Sequence, residues 1–287
     1  MKKIAKIAAV LLSGVMEFSF TACNKEDDEY AVNRVSEALE IINEAESMKS
    51  DMVMSYSMVM GEEKVDMFSW TYIEMFNSPA KIKMDMSTEV LGQELLTQYY
   101  MEETEAGVYT MYYASEDMGT GWTKMVVDAS YAEELTGNSE YYLEYAENFK
   151  LIGEEDVEGE NTEKFEGVIK SEDIKEVVSE TNLDSIAGVE GVESELSALF
   201  DDLEDIPITI WISKESGYPV KYTMDITQMM QSVIDNAFEM EESTEAIELG
   251  IENAVIDIVY SDFNAVEEFE IPAEVIENAV DLTIVSE

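Results

Sequence analysis

The 287-residue chain carries 65 acidic against 16 basic side chains, a formal net charge of −49, and no histidine. Such an excess of carboxylates repels nucleic acid phosphates and anionic headgroups, which excludes polyanion binding. With no histidine and a single cysteine, Ser-His-Asp and Cys-His catalysis, His/Cys zinc sites and haem ligation through His or Cys are excluded as well.

The N-terminus combines Lys2, Lys3 and Lys6, an apolar run from Ile7 to Val15, and Phe20-Thr21-Ala22-Cys23. A charged start, an apolar centre and small residues before a cysteine have the form of a bacterial lipoprotein signal, with cleavage after Ala22 and acylation of Cys23. Glu17 and Phe20 depart from the usual pattern, and the alternatives are a secretory signal cut elsewhere or a buried thiol. Residues 1–22 are accordingly assigned to the signal peptide, 23–29 to an acidic tether and 30–287 to one domain. Its expected location is extracytoplasmic, lipid-anchored at the outer face of the cell membrane. Contact with the membrane is expected through the acyl chains, because cleavage removes three lysines with one glutamate and makes the chain more acidic still.

A helix is predicted from Tyr30 to Met48, where Val32, Val35, Leu39 and Ile42 recur at spacings of three and four. The most regular pattern follows: Met52, Met54, Tyr56, Met58 and Met60 alternate with Val53, Ser55, Ser57 and Val59, so a strand places the two sets on opposite faces. Strands at Val65–Phe76, Ala80–Val90, Leu95–Glu102, Val108–Ala114 and Trp122–Val127 extend this into an antiparallel meander joined by short turns. Ile82, Met84 and Met86 repeat the alternation opposite Lys81, Lys83 and Asp85.

Helices are predicted over Ala129–Asn148, broken near Gly137-Asn138, and over Ser171–Asn182 and Val192–Leu203, with a strand at Glu163–Lys170 between the first two. A hairpin of Ile206–Ser213 and Tyr218–Ile226 turns at Lys214-Glu215-Ser216-Gly217. A helix at Gln228–Glu242, a strand at Ala254–Ser261 and a short helix at Pro272–Val280 complete the chain. The pattern predicts a single α+β domain with a long antiparallel sheet and helices on one face.

The alternating thioethers are the sharpest local feature. Methionine is unbranched and polarisable, so a concave face lined by Met52, Met54, Tyr56, Met58, Met60, Ile82, Met84 and Met86 suits a flexible apolar ligand. The same face could equally pack against helices as ordinary core. Met-x-Met pairs could also offer Cu(I) soft ligands, but same-face neighbours on one strand lie about 7 Å apart, which disfavours convergence of their sulfurs. Acidic pairs of glycosidase type remain open chemically, yet 65 acids produce close pairs by chance. No Gly-rich phosphate loop or calcium loop supports other chemistry. The expectation is a non-enzymatic protein with no cofactor and no metal.

The order of lipobox, helix, Met-rich meander, Ile210-Trp-Ile-Ser-Lys-Glu-Ser-Gly-Tyr-Pro-Val-Lys221, Tyr260-Ser-Asp-Phe-Asn264 and Glu270-Ile-Pro272 resembles an uncharacterised family of Gram-positive surface lipoproteins. That family stands with the LolA/LolB and LprG-like lipoprotein carriers. The resemblance implies a curved antiparallel sheet, an unclosed half barrel of LolA-like form, with helices covering its concave face. It also implies an apolar, lipid-like ligand held between sheet and helices. The alternative is an envelope interaction or scaffold protein with a filled core, whose partner is another envelope protein.

Overall fold

Alternation of side-chain character along the chain builds strands, and strands dominate the computed structural model. It describes residues 25–61, 63–90, 93–115, 121–129, 145–174, 199, 203–240 and 249–282. The expected meander is formed by β1 (Ser47–Met60), β2 (Glu63–Asn77), β3 (Ala80–Val90), β4 (Gln93–Glu105), β5 (Val108–Ser115) and β6 (Thr123–Asp128). A second meander follows from β7 (Ala146–Val157), β8 (Glu160–Ile169), β9 (Ile206–Ser213), β10 (Pro219–Asp225) and β11 (Leu249–Ser261). Antiparallel pairing of β1 with β11 joins the two, and β12 (Val280–Asp281) adds in parallel to β6.

The result is one 12-stranded sheet in the order β12-β6-β5-β4-β3-β2-β1-β11-β10-β9-β8-β7. Its outermost strands β12 and β7 are not neighbours, so the sheet is unclosed. The α+β class and the open antiparallel sheet are as the sequence leads one to expect.

Helix α1 (Lys25–Glu44) presents Ala31, Val35, Ala38 and Ile42, a three-and-four stripe, to the sheet. These residues pack with Phe165, Ile208, Ile210, Tyr222 and Ile258 in the largest buried cluster. Helix α2 (Thr227–Met240) adds Met229, Met230, Val233 and Ile234 and lies on β11. The short α3 (Ala273–Asn278) sits on the opposite face, where Ile271 and Val275 cover Tyr112 beside Tyr100 and Trp122. The segment leading into it is fastened by Phe269, whose ring lies 5.7 Å from that of Phe76, and by Glu268, 2.9 Å from the Lys81 ammonium.

Several boundaries differ from expectation for physical reasons. Helix α1 starts at Lys25 and stops at Glu44, so residues 25–29, expected as tether, are helical and Met48 belongs to β1. Acidic residues are favourable in the first turn of a helix, which is where this acidic run falls. Residues 146–148, expected to end a helix, begin β7 instead. Most of the helices expected over 129–148, 171–182 and 192–203 lies outside the described residues, although 171–174 form a helical turn.

Strand β7 is irregular, with register shifts at Glu147/Lys150 and Leu151/Gly153, and Asn148 has a φ of 60°. The first irregularity brings Phe149 across Gly167 of β8, where an added Cβ would stand 2.7 Å from two ring carbons. The Gly167→Ala variant is expected to lose about 1–3 kcal/mol of stability through this overpacking. Urea unfolding checks the value, and an unchanged midpoint would show that the Phe149 ring yields freely.

Candidate functional site

Directly opposite residues of an antiparallel pair share a face, so the register shows which side chains are presented together. Met52, Met54 and Tyr56 of β1 stand opposite Ile258, Ile256 and Ala254 of β11, and opposite Thr71, Ser69 and Met67 of β2. Ile73 and Met75 face Met84 and Ile82 of β3, and these face Tyr99 and Met101 of β4. Met101 is opposite Met111 of β5, which is opposite Met125 of β6. Met224 of β10 faces Ile256. Every methionine carried by a described strand therefore falls on the face that α1 and α2 cover. Met58 and Met60 continue the same register on β1.

This face differs along its width. Beneath α1, Phe165, Ile208, Ile210 and Tyr222 are at most 1 % exposed. At the other end Met101 and Met111 form a small buried cluster with Ile82, Tyr99 and Met125 against it. Between them Met52, Met54, Tyr56, Met58, Met84 and Met86 are half-buried. Met52, Tyr56 and Met58 lean on the helix-covered core. Among the described residues, Met54, Met84 and Met86 pack against none of the buried clusters.

Small hydroxyl side chains separate these thioethers. Met86 lies between Thr71 and Thr97, and Met54 lies beside Ser69. Ser69 Oγ and Thr88 Oγ1 are 3.2 Å apart, and Thr97 Oγ1 donates to Ser115 Oγ at 3.3 Å. Hydroxyls that satisfy one another present mainly their carbon surfaces upward. Flexible thioethers beside short side chains make a half-buried apolar strip that crosses strands spaced about 4.8 Å apart. Cys23 lies outside the described residues.

The opposite face is polar and aromatic. Trp70 and Tyr72 stack at 6.1 Å, Lys83 stands 5.6 Å from the Tyr72 ring, and the Tyr72 hydroxyl donates to Glu74 at 2.6 Å. Burial, with the Glu74 bond second, pushes this phenol up to about 12. Trp211 donates from Nε1 to Glu155 at 2.9 Å beneath the ammonium groups of Lys164 and Lys221, 4.9 and 5.3 Å from its ring. The indole N–H, then Lys164, hold the Glu155 carboxyl below its ordinary value. Among the described residues no group of three or more Cys, Asp or Glu is arranged to hold a metal ion.

Sequence reasoning missed Arg34, the chain's only arginine. Its Nη2 donates to the Ser213 carbonyl at 2.7 Å, and its Nε donates to Glu163 at 3.3 Å. Tyr30 donates to the same carboxylate at 2.7 Å, which together with burial raises its phenol. Gly217, at φ +79°, ends the 210–221 turn directly under the guanidinium, 3.2 Å from where a Cβ would stand. The 210–221 motif is thus a docking point for α1 and builds no part of the half-buried methionine strip. The available signal was a lone guanidinium in a chain of 65 acids.

An unclosed antiparallel sheet, sealed by helices over part of one face and lined with thioethers on the rest, defines an open-sheet α+β protein with an apolar inner surface. The chain belongs to the DUF6612 family, a family of unknown function, whose model matches residues 31–280. Among solved structures it is similar to the Mycobacterium tuberculosis lipoprotein LppX, with 10 % identity, 85 % of this chain and 100 % of that one covered, and a TM-score of 0.42. It is also similar to LprF from Mycobacterium bovis, with 13 % identity, 85 % and 98 % coverage, and a TM-score of 0.44. No curated protein sequence matches it.

Proposed function

We propose that this protein is a membrane-anchored extracytoplasmic lipoprotein, held by acyl chains on Cys23, that binds an apolar, lipid-like ligand and performs no catalysis. The observation that carries the reading is the uneven cover of one continuous apolar face. Met54, Met84 and Met86 are half-buried between two packed clusters, where adaptable thioethers meet an extended hydrocarbon at little cost in shape. Lipid extraction and native mass spectrometry of protein purified from membranes test it directly. Copurifying or exchangeable lipid is expected, and a ligand-free protein that takes up none would sink the proposal.

A charge placed on this methionine strip should separate binding from folding. The double variant Met84→Glu/Met86→Glu is expected to carry at least about tenfold less lipid, because a carboxylate facing hydrocarbon must be desolvated. Its stability should change by about 1 kcal/mol or less, since both side chains keep access to water. An unchanged lipid load would move the ligand away from this face.

A second reading, an envelope scaffold with a filled core, draws on the closed end of the same face, where Met101 and Met111 are 6 % and 5 % exposed. It predicts a protein partner, and in-cell crosslinking that recovers none would count against it.

A further inference from the structure

We propose that the edge of the sheet beside α1 is a membrane-docking surface, in which Leu151 and Ile152 of β7 and Tyr30 of α1 enter the headgroup–acyl boundary of the bilayer that holds the lipid anchor. This rests on the reading that Cys23 is acylated.

Leu151 and Ile152 are consecutive, apolar and 42 % and 45 % exposed. Their exposure follows from the local backbone. Leu151 pairs with Phe165 and Gly153 with Lys164, so Ile152 is the extra residue of a bulge. Two bulged residues oppose one on the partner strand and bend the edge outward. An outermost strand ordinarily guards its edge with charge, as β7 does further along at Glu154, Glu155 and Asp156. At the bulge it carries two aliphatic side chains instead.

Tyr30, 44 % exposed and donating its hydroxyl to Glu163, shares a neighbour with this pair: its ring lies 6.4 Å from that of Phe165, the residue opposite Leu151. Tyrosine is the side chain that suits a boundary between water and hydrocarbon. The length of chain between anchor and fold names the occupant. Helix α1 begins at Lys25, two residues after Cys23. Two residues span at most about 7 Å, and Tyr30 is about 7–8 Å further along the helix. An acylated Cys23 therefore keeps Tyr30 within about 15 Å of the bilayer surface. The surplus of carboxylates makes attraction to anionic headgroups impossible as the driving force, so docking depends on apolar insertion and is insensitive to salt.

The test uses the chain from residue 23, its only thiol coupled to a maleimide lipid in phosphatidylcholine vesicles made with or without brominated acyl chains. Tryptophan is introduced by Ile152→Trp or Leu151→Trp, and as a control by Ile276→Trp on α3, with the emission of the parent protein subtracted. Brominated chains are expected to remove at least half of the added emission in I152W and L151W, at 0.1 and at 1 M salt, and to leave I276W within a tenth of its value. Equal emission in the two vesicle types for both edge variants, with circular dichroism matching the parent, would overturn the proposal. The chemical tether makes this result independent of natural acylation, which is read separately from palmitate labelling of cells carrying the parent or its Cys23→Ser variant. Absence of labelling in the parent would overturn the anchoring reading alone.

Discussion

Replacement of Phe165 by alanine is expected to lower stability by about 3–5 kcal/mol. The ring is fully buried on β8 at the point where α1 meets the sheet, opposite Ile210 and beside Tyr30. Removing it takes away apolar contact area and leaves a void that the rigid strands β8 and β9 cannot collapse into. Urea unfolding followed by tryptophan fluorescence and by far-UV circular dichroism gives the value and checks that the transitions coincide. A loss below about 1 kcal/mol would mean that α1 contributes little to the fold.

The second large effect is expected at Arg34. Its side chain and that of Glu163 are 16 % and 12 % exposed, and the guanidinium serves two acceptors at once, the carboxylate and the Ser213 carbonyl. Arg34→Ala should cost about 2–4 kcal/mol, since it takes the cation from a shielded carboxylate, which keeps only the Tyr30 hydroxyl, and one of two donors from the Ser213 carbonyl, which keeps the Gly217 N–H. Arg34→Lys keeps the charge but loses the fork that reaches both acceptors, and should recover less than half of that loss. A double-mutant cycle with Glu163→Gln isolates the ion pair from the carbonyl bond. If Arg34→Lys matched the parent, charge alone and not guanidinium geometry would hold α1 to the hairpin.

The first meander is readable from sequence because β1 and β3 alternate clearly and one face of both carries the thioethers, with short hydroxyl side chains between them. Strand β7 is not, since Ala146–Val157 buries only Phe149 among its residues, lies at an edge, and is twice shifted in register. Period-two reasoning fails on a strand that has no inner face to declare. The start of β11 is hidden similarly by the irregularity between Asn253 and Ile251 opposite Ser57/Met58. The common face of the methionines was legible from parity along each strand. Which part of it is only half-buried among the described residues was not, because that depends on the pairing of β1 with β11 and on the seating of α1 and α2 over β7–β11, contacts between distant stretches of chain. Arg34 escaped notice because a single cation on a helix has no periodicity, and its meaning lies in the hairpin it reaches.

The central pairing of β1 with β11 also dictates an order of events for a chain that emerges N-terminus first. Residues 47–60 occupy the middle of the finished sheet, yet their partner on one side is residues 249–261. Until nearly the whole polypeptide is outside the ribosome or an export channel, β1 is a raw edge that alternates methionine with small side chains, open to pairing with any other strand. Closing so long a loop is slow, and an unpaired apolar edge waiting for it is prone to aggregate. A polypeptide cut short anywhere before residue 249 would lack the strand that covers this edge of β1.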